Sequence, residues 1–183
     1  MPDHVIRPLT RGDRDAALAV INTAAGWYRE FLPPEALHDP EMTAEQWEAE
    51  ARRLTWYGVF VGDRLVGVGG LEHVQDAALL RHGYVLPEHQ RGGIGHDLIQ
   101  YLEEQARDVR RIIVGTYAGN RRARGALAKA GYRASPDPEA VLRAYFAIPE
   151  DRLKASVAYE KTLDAKIPDA ERSPPRTRRG SPR

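Results

Sequence analysis

Cysteine is absent from all 183 residues. That excludes a disulfide framework, thiolate zinc sites, iron–sulfur clusters and a cysteine nucleophile, and no metal is expected. Without such staples the fold must rest on its core. A chain this long buries about 68–70% of the surface it exposes when unfolded, which suffices for one domain. No apolar run approaches the roughly 18 residues of a membrane helix. No apolar stretch of signal-peptide length follows the first seven residues, so a cytoplasmic location is the expectation. An excess of one charge is also missing: 27 Lys and Arg stand against 26 Asp and Glu, a net of +1. That sum implies no broad cationic surface, and nucleic acid is an unexpected partner.

The balance hides an asymmetry. Residues 164–183 carry six basic and three acidic side chains, which leaves residues 1–163 at −2. Residues 173–183 have nothing apolar to offset their ordering entropy. The division expected is a domain over 1–163 and a disordered, basic, Pro/Arg-rich tail over 164–183. The tail is either solvated or a weak contact for nucleic acid or an anionic surface.

What is present alternates in period. Val5-Ile6 predicts a short first strand, and residues 13–25 predict a helix with Ala17, Leu18, Ile21 and Ala24 on one side. Thr43 and Gln46 form a capping-box pattern opening a helix to about Leu54. Residues 56–61 and 64–71, joined by Gly62-Asp63, read as a hairpin, and 77–86 as a third strand. Three strands in succession argue for an antiparallel meander rather than a repeating βαβ chain. A helix over 95–107, a buried strand over 112–117 and a helix over 120–130 stopped by Gly131 follow. A strand beginning at Tyr132, a helix at 139–146 and a last strand over 153–163 complete a mixed α/β layered fold.

One segment stands out. Gln90-Arg91-Gly92-Gly93-Ile94-Gly95 lies between a strand and an amphipathic helix. Glycines allow close backbone approach and positive φ. The first N–H groups of a helix lack internal partners and its dipole favours anions there, so the segment suits a phosphate, with Arg91 beside it. A mononucleotide loop needs Gly-Lys-Ser/Thr, which is missing. A dinucleotide fingerprint needs a small residue where Leu98 stands.

The segment resembles the pyrophosphate loop of the GCN5-related N-acetyltransferases, Gln/Arg-x-x-Gly-x-Gly/Ala. A second resemblance follows the fifth strand, where Asn120, Ala123, Lys129, Gly131 and Tyr132 stand at the spacings of that family's Asn-x-x-Ala, Tyr and Gly-Phe pattern. The likeness covers about residues 5–163. It implies a three-layer α-β-α sandwich with a mostly antiparallel sheet whose fourth and fifth strands splay. It also implies acetyl-CoA as co-substrate, direct acetyl transfer to a primary amine, and a homodimer, since many relatives dimerise. On this likeness Gln90, Arg91, Gly92, Gly93, Ile94 and Gly95 cradle the pyrophosphate, main-chain groups of Tyr84, Val85 and Leu86 hold the pantetheine arm, and Asn120 touches the cofactor.

The chain departs from the family at Leu127, where many members place the tyrosine that protonates the departing thiolate. Leucine donates no proton, so Tyr117 is the first substitute, with Tyr145 and Tyr159 behind it. The family also implies a general base, because an amine must be neutral to attack. Glu72 is the first candidate, and His73 and His82 the second; His89 and His96 flank the loop. Trp27, Tyr28, Phe31, Glu30, Glu35, Asp39, Glu41 and Glu45 form the region expected to face the acceptor, an acidic and aromatic wall suited to a cation. The alternative is a catalytically weak acyl-CoA-binding regulatory module on the same fold.

Overall fold

The computed structural model describes residues 3–163. The expected tail, 164–183, lies outside the described residues. The strands are β1 (Val5–Pro8), β2 (Leu54–Val61), β3 (Arg64–Val74), β4 (Ala77–Val85), β5 (Arg111–Tyr117), β6 (Arg133–Ala134) and β7 (Ser156–Thr162). The helices are α1 (Arg14–Ala24), α2 (Ala44–Glu50), α3 (Ile94–Gln105), α4 (Arg121–Lys129), α5 (Pro138–Tyr145) and α6 (Glu150–Leu153). The seven strands lie in the order β1-β2-β3-β4-β5-β7-β6. All neighbours are antiparallel except β4 and β5. The mixed α/β sandwich and the meander of β2 to β4 follow the expectation.

Alternation along β4 builds the core on both faces. Ala78 and Leu80 join a large apolar cluster that takes in α1, α2, α3 and α4. Ala77 and Leu79 turn the other way, into a smaller cluster with Ile113, Leu142, Phe146 and Ala158 under α5. This is the period-two geometry of a strand buried on both sides.

Local signals place several ends. Thr43 accepts a hydrogen bond from the Gln46 N–H while the Gln46 side chain accepts one from the Thr43 N–H, closing the box that starts α2. Gly131 takes φ +88°, the left-handed stop after α4. The second helix ends earlier than expected, at Glu50 rather than about Leu54. Leu54 pairs with Glu72 across β2 and β3 and is buried, so sheet pairing claims a residue that helix periodicity also fits. The last strand starts at Ser156 because α6 occupies 150–153.

Two irregularities shape the middle of the sheet. β4 and β5 pair only from Ala77–Arg111 to Leu80–Val114, yet β4 runs on to Val85 and β5 to Tyr117. Beyond Leu80 the two strands part and leave a wedge. On its other edge β4 bulges. Arg81 faces Gly70 and Tyr84 faces Val68, so three steps on β4 match two on β3. His82 sits in the bulge with φ +53°, uncommon outside glycine.

Candidate active site

A cavity of about 360 Å³ fills the wedge. Its walls are Leu80 to Tyr84 of β4, Val114 to Tyr117 of β5, Gly95 and the apolar face of α3, and Asn120 to Leu127 along α4. Tyr28, Glu41, residues 146–149, Arg152 and Ser156 complete the lining.

The bulge brings two adjacent residues of β4 to the cavity. His82 and Gly83 together face Gly69 of β3 in the bulge, and pairing with β5 has already stopped at Leu80. Both residues border the cavity. Tyr84 also lines the cavity, but Val85 and Leu86 do not. The Val85 carbonyl accepts a hydrogen bond from Gln90 Nε2 at 2.9 Å. The Leu86 N–H donates to the Val66 carbonyl at 2.9 Å, and its side chain is buried.

The glycine-rich segment opens α3 as its residues require. Arg91 has φ +66° and Gly93 φ +89°, and Gly93 is the cap. The Asp97 N–H closes the first helical bond, to the Gly93 carbonyl at 3.0 Å. That leaves the N–H groups of Ile94, Gly95 and His96 in the first turn without helical acceptors. A side-chain methyl built on Gly92 would meet nothing closer than 4.0 Å, so the loop backbone is open to an approaching ligand. Gln90 acts differently from its neighbours: it ties the loop to β4 through Val85 and accepts from Arg122 Nη1 at 3.0 Å. Ile94 turns its side chain into the core. An anion such as a pyrophosphate fits this helix start, and an extended apolar chain fits the wedge beyond it.

Asn120 is 8% exposed and lines the cavity. Its Oδ1 accepts from the Ala123 N–H at 3.2 Å and from Trp27 Nε1 at 3.3 Å. It is a helix cap that also fastens α4 to the segment after α1. The Arg122 guanidinium lies 3.4 Å above the Trp27 ring.

Leu127 is 4% exposed within the protein and its side chain forms part of the cavity wall. A tyrosine at this place would present its hydroxyl there; leucine presents only methyl groups. Three tyrosines stand nearby. Tyr28 and Tyr84 share a hydrogen bond between hydroxyls at 3.1 Å, and Tyr28 packs edge-on against Tyr117 with ring centroids 5.2 Å apart. Burial raises all three pKa values, most strongly at Tyr84, which keeps them as proton donors rather than phenolates. The other two candidate tyrosines lie outside the cavity. Tyr145 donates to Asp76 at 2.8 Å, and Tyr159 accepts from Arg124 Nε at 3.1 Å.

The carboxylates are distributed differently from the expectation. Glu72 is 8% exposed and does not line the cavity. It accepts from Arg81 Nη1 at 2.8 Å, with Arg53 at 3.8 Å. Of Glu30, Glu35, Asp39, Glu41 and Glu45, only Glu41 reaches the cavity wall; the other four are exposed. Burial raises the Glu41 pKa against the opposing charge of Arg152.

His82 lines the cavity, and its Nε2 lies 3.2 Å from Glu50 Oε2. Burial alone would raise the Glu50 pKa. The hydrogen bond with His82 and the charges of Arg81 and Arg53 outweigh it and hold the group at about 2. An ionised Glu50 selects the imidazole tautomer with hydrogen on Nε2, leaving Nδ1 as an acceptor. His73 and His96 are outside the cavity, and His89 lies in the turn before the loop. Glu50 and Arg152 escaped sequence reasoning. Glu50 reads as an ordinary helix residue, and Arg152 sits just after Pro149 with no motif around it.

The Acetyltransferase (GNAT) family model matches residues 21–132. Among solved structures, PaiA N-acetyltransferase from Thermoplasma acidophilum in complex with coenzyme A is similar. It has a TM-score of 0.70 at 16% identity, covering 88% of this chain and 99% of that one. An acetyltransferase from Thermus thermophilus gives a TM-score of 0.64 at 18% identity, with coverages of 87% and 97%. N-acetylglutamate synthase from Neisseria gonorrhoeae, complexed with coenzyme A and N-acetyl-glutamate, gives 0.64 at 19% identity, covering 90% of this chain and 36% of that one. At these identities the likenesses speak for the fold. No curated protein matches the chain. A family match over more than half of its length makes the chain a member of the acetyltransferase (GNAT) family.

Proposed function

We propose that the protein transfers an acetyl group from acetyl-CoA directly to a primary amine of a small molecule. The observation that carries this reading is the wedge between β4 and β5, with the glycine-rich start of α3 bordering it and the bulge at His82 and Gly83 lining it. The Ile94, Gly95 and His96 amides and Arg91 would receive the pyrophosphate. The pantetheine arm would lie along the wedge beside Tyr84 and Asn120. Peptide N–H groups turned into the wedge at the bulge would suit a carbonyl that gains negative charge as it becomes tetrahedral.

In the transfer, the amine nitrogen forms a bond to the thioester carbon, and the carbon–sulfur bond breaks. His82, oriented by Glu50, takes the proton that frees the amine lone pair. Glu72 is a weaker candidate for this role, since its carboxylate is already held by Arg81 away from the cavity. Tyr117 supplies a proton to the departing thiolate in place of the missing hydroxyl at Leu127. A thiol has an ordinary pKa near 8.5, so the demand on that donor is modest. The absence of cysteine fits direct transfer, with no acyl group parked on an enzyme thiol.

Leu127 supports a second reading, a weak acyl-CoA-binding module. Thermal shift with acetyl-CoA and CoA, together with thiol release across a panel of amines, separates the two. Stabilisation with amine-dependent thiol release supports the transferase. Stabilisation with no release for any amine, even at high pH, supports the binding module. A native-state ligand must stabilise the fold, so no shift at millimolar acetyl-CoA removes both.

A further inference from the structure

Besides Arg81, which is already paired with Glu72 and Glu50, the cavity wall holds one carboxylate and one guanidinium that face each other. Glu41 comes from the loop before α2 and Arg152 from α6, and Arg152 Nη1 lies 3.5 Å from Glu41 Oε1. The Glu41 side chain is 10% exposed and the Arg152 side chain 26%. Both line the cavity. Around them stand Tyr28, Tyr117, Phe146 and Ile148. An acidic wall for a polycation is therefore not what this cavity presents.

Charge complementarity narrows the acceptor. A diamine placed against Glu41 would set a cation beside Arg152 with nothing to neutralise it. A carboxylic acid without an amine would face Glu41. A molecule carrying an ammonium and a carboxylate one carbon apart meets both requirements at once. Its ammonium binds Glu41 and its carboxylate binds the guanidinium, so four charges alternate in sign and none is left uncompensated in a half-buried site. The Glu41–Arg152 contact is long and involves one N–O pair, so Arg152 retains donors for a second carboxylate, a partner its planar fork suits.

We propose that the acceptor is a free α-amino acid, its carboxylate held by Arg152 and its ammonium by Glu41. This rests on the acetyl-transfer reading above. The ammonium gives one proton to His82 and becomes the attacking amine. The nitrogen–carbon bond forms and the carbon–sulfur bond breaks. The nitrogen loses a second proton as the thiolate gains one. An N-acetyl amino acid, CoA and one net proton leave.

The test is thiol release by the full chain at saturating acetyl-CoA, with the standard L-amino acids and, for each, its carboxamide and its decarboxylated amine. Acetyl-CoA and CoA thermal shifts are recorded alongside. One or more free amino acids should be acetylated with kcat/KM at least about tenfold above the matching amide and amine, the scale of one charged hydrogen-bonded contact. Arg152→Gln should bring that ratio to within about threefold of unity, and Arg152→Lys should restore part of it. Melting curves confirm that both variants fold, and a merely structural Arg152 would not move the ratio. Amides or decarboxylated amines used as well as the acids overturn the proposal, as does a ratio unmoved in both variants. Stabilisation by acetyl-CoA with no amino acid turned over overturns it while leaving CoA binding intact. No stabilisation by acetyl-CoA or CoA removes the transfer reading and this proposal together.

Discussion

Replacing Glu72 by glutamine separates a structural carboxylate from a catalytic one. Glu72 and Arg81 have side chains 10% exposed each and meet at 2.8 Å. Glutamine keeps the shape and an acceptor oxygen but removes the charge, so a charge-assisted hydrogen bond is lost, worth about 1.5–3 kcal/mol. Complete orphaning of a buried charge costs about 3–5 kcal/mol. That extreme is not reached, because Glu50 stays 3.7 Å from the same guanidinium. For a domain of this size each kcal/mol moves Tm by about 2–4 °C, so Glu72→Gln should melt roughly 3–12 °C lower. Urea unfolding should show a lower midpoint at unchanged slope. The kcat on the best amine, measured well below the new Tm, should stay within about threefold of the parent, a barrier change under 1 kcal/mol. His82→Gln is the counterpart. It should change stability by about 1 kcal/mol or less and lower kcat/KM by about 10²–10⁴. The reasoning fails if Glu72→Gln melts normally yet loses two orders of magnitude in rate while His82→Gln keeps its rate.

Three further outcomes follow from the same geometry. Tyr117→Phe should lower kcat by about tenfold or more, and Leu127→Tyr in that background should recover part of the loss, because the new hydroxyl enters the same cavity; single-turnover thiol release reads both. Glu50 has a folded pKa of about 2 against an ordinary 4.5. A depressed carboxylate contributes stability that is present above its unfolded value and lost as pH falls through the folded one. Urea midpoints should therefore drop between pH 4.5 and 2, and Glu50→Gln should flatten that decline. Glu41 has the opposite sign: its pKa is raised, mainly by burial, so the ionised form is a cost to the fold near neutral pH. Glu41→Gln should raise Tm at pH 7 while weakening amine turnover, and a lower Tm at that pH would contradict the assignment.

Much of this architecture was legible in the order of residues because it depends on short-range chemistry. β-Branched and aromatic runs and the Gly62-Asp63 turn marked β2 to β4, the Thr43–Gln46 box marked the start of α2, and Gly131 marked the end of α4. The glycine-rich segment was recognisable by its place between a strand and an amphipathic helix, and the left-handed cap at Gly93 is a position that favours glycine. Asn120 was legible for the same reason, as a cap written into its own helix. Leu127 was visible as a departure in the second motif.

The chemistry of the cavity depended on contacts no local pattern encodes. Glu72 and Glu41 are both carboxylates with an apolar residue beside them in the chain, but pairing across β3 and β4 delivers Glu72 to Arg81, while the loop before α2 delivers Glu41 to the cavity. Gly83 is the one local hint of the bulge at His82; which way the strand opens depends on its pairing with β3 and its parting from β5. Arg152 reaches Glu41 across 111 positions. Residue type and spacing set which elements form and where a helix start can receive an anion. Register, strand divergence and packing, each a sum over distant contacts, set which charges face one another in the site.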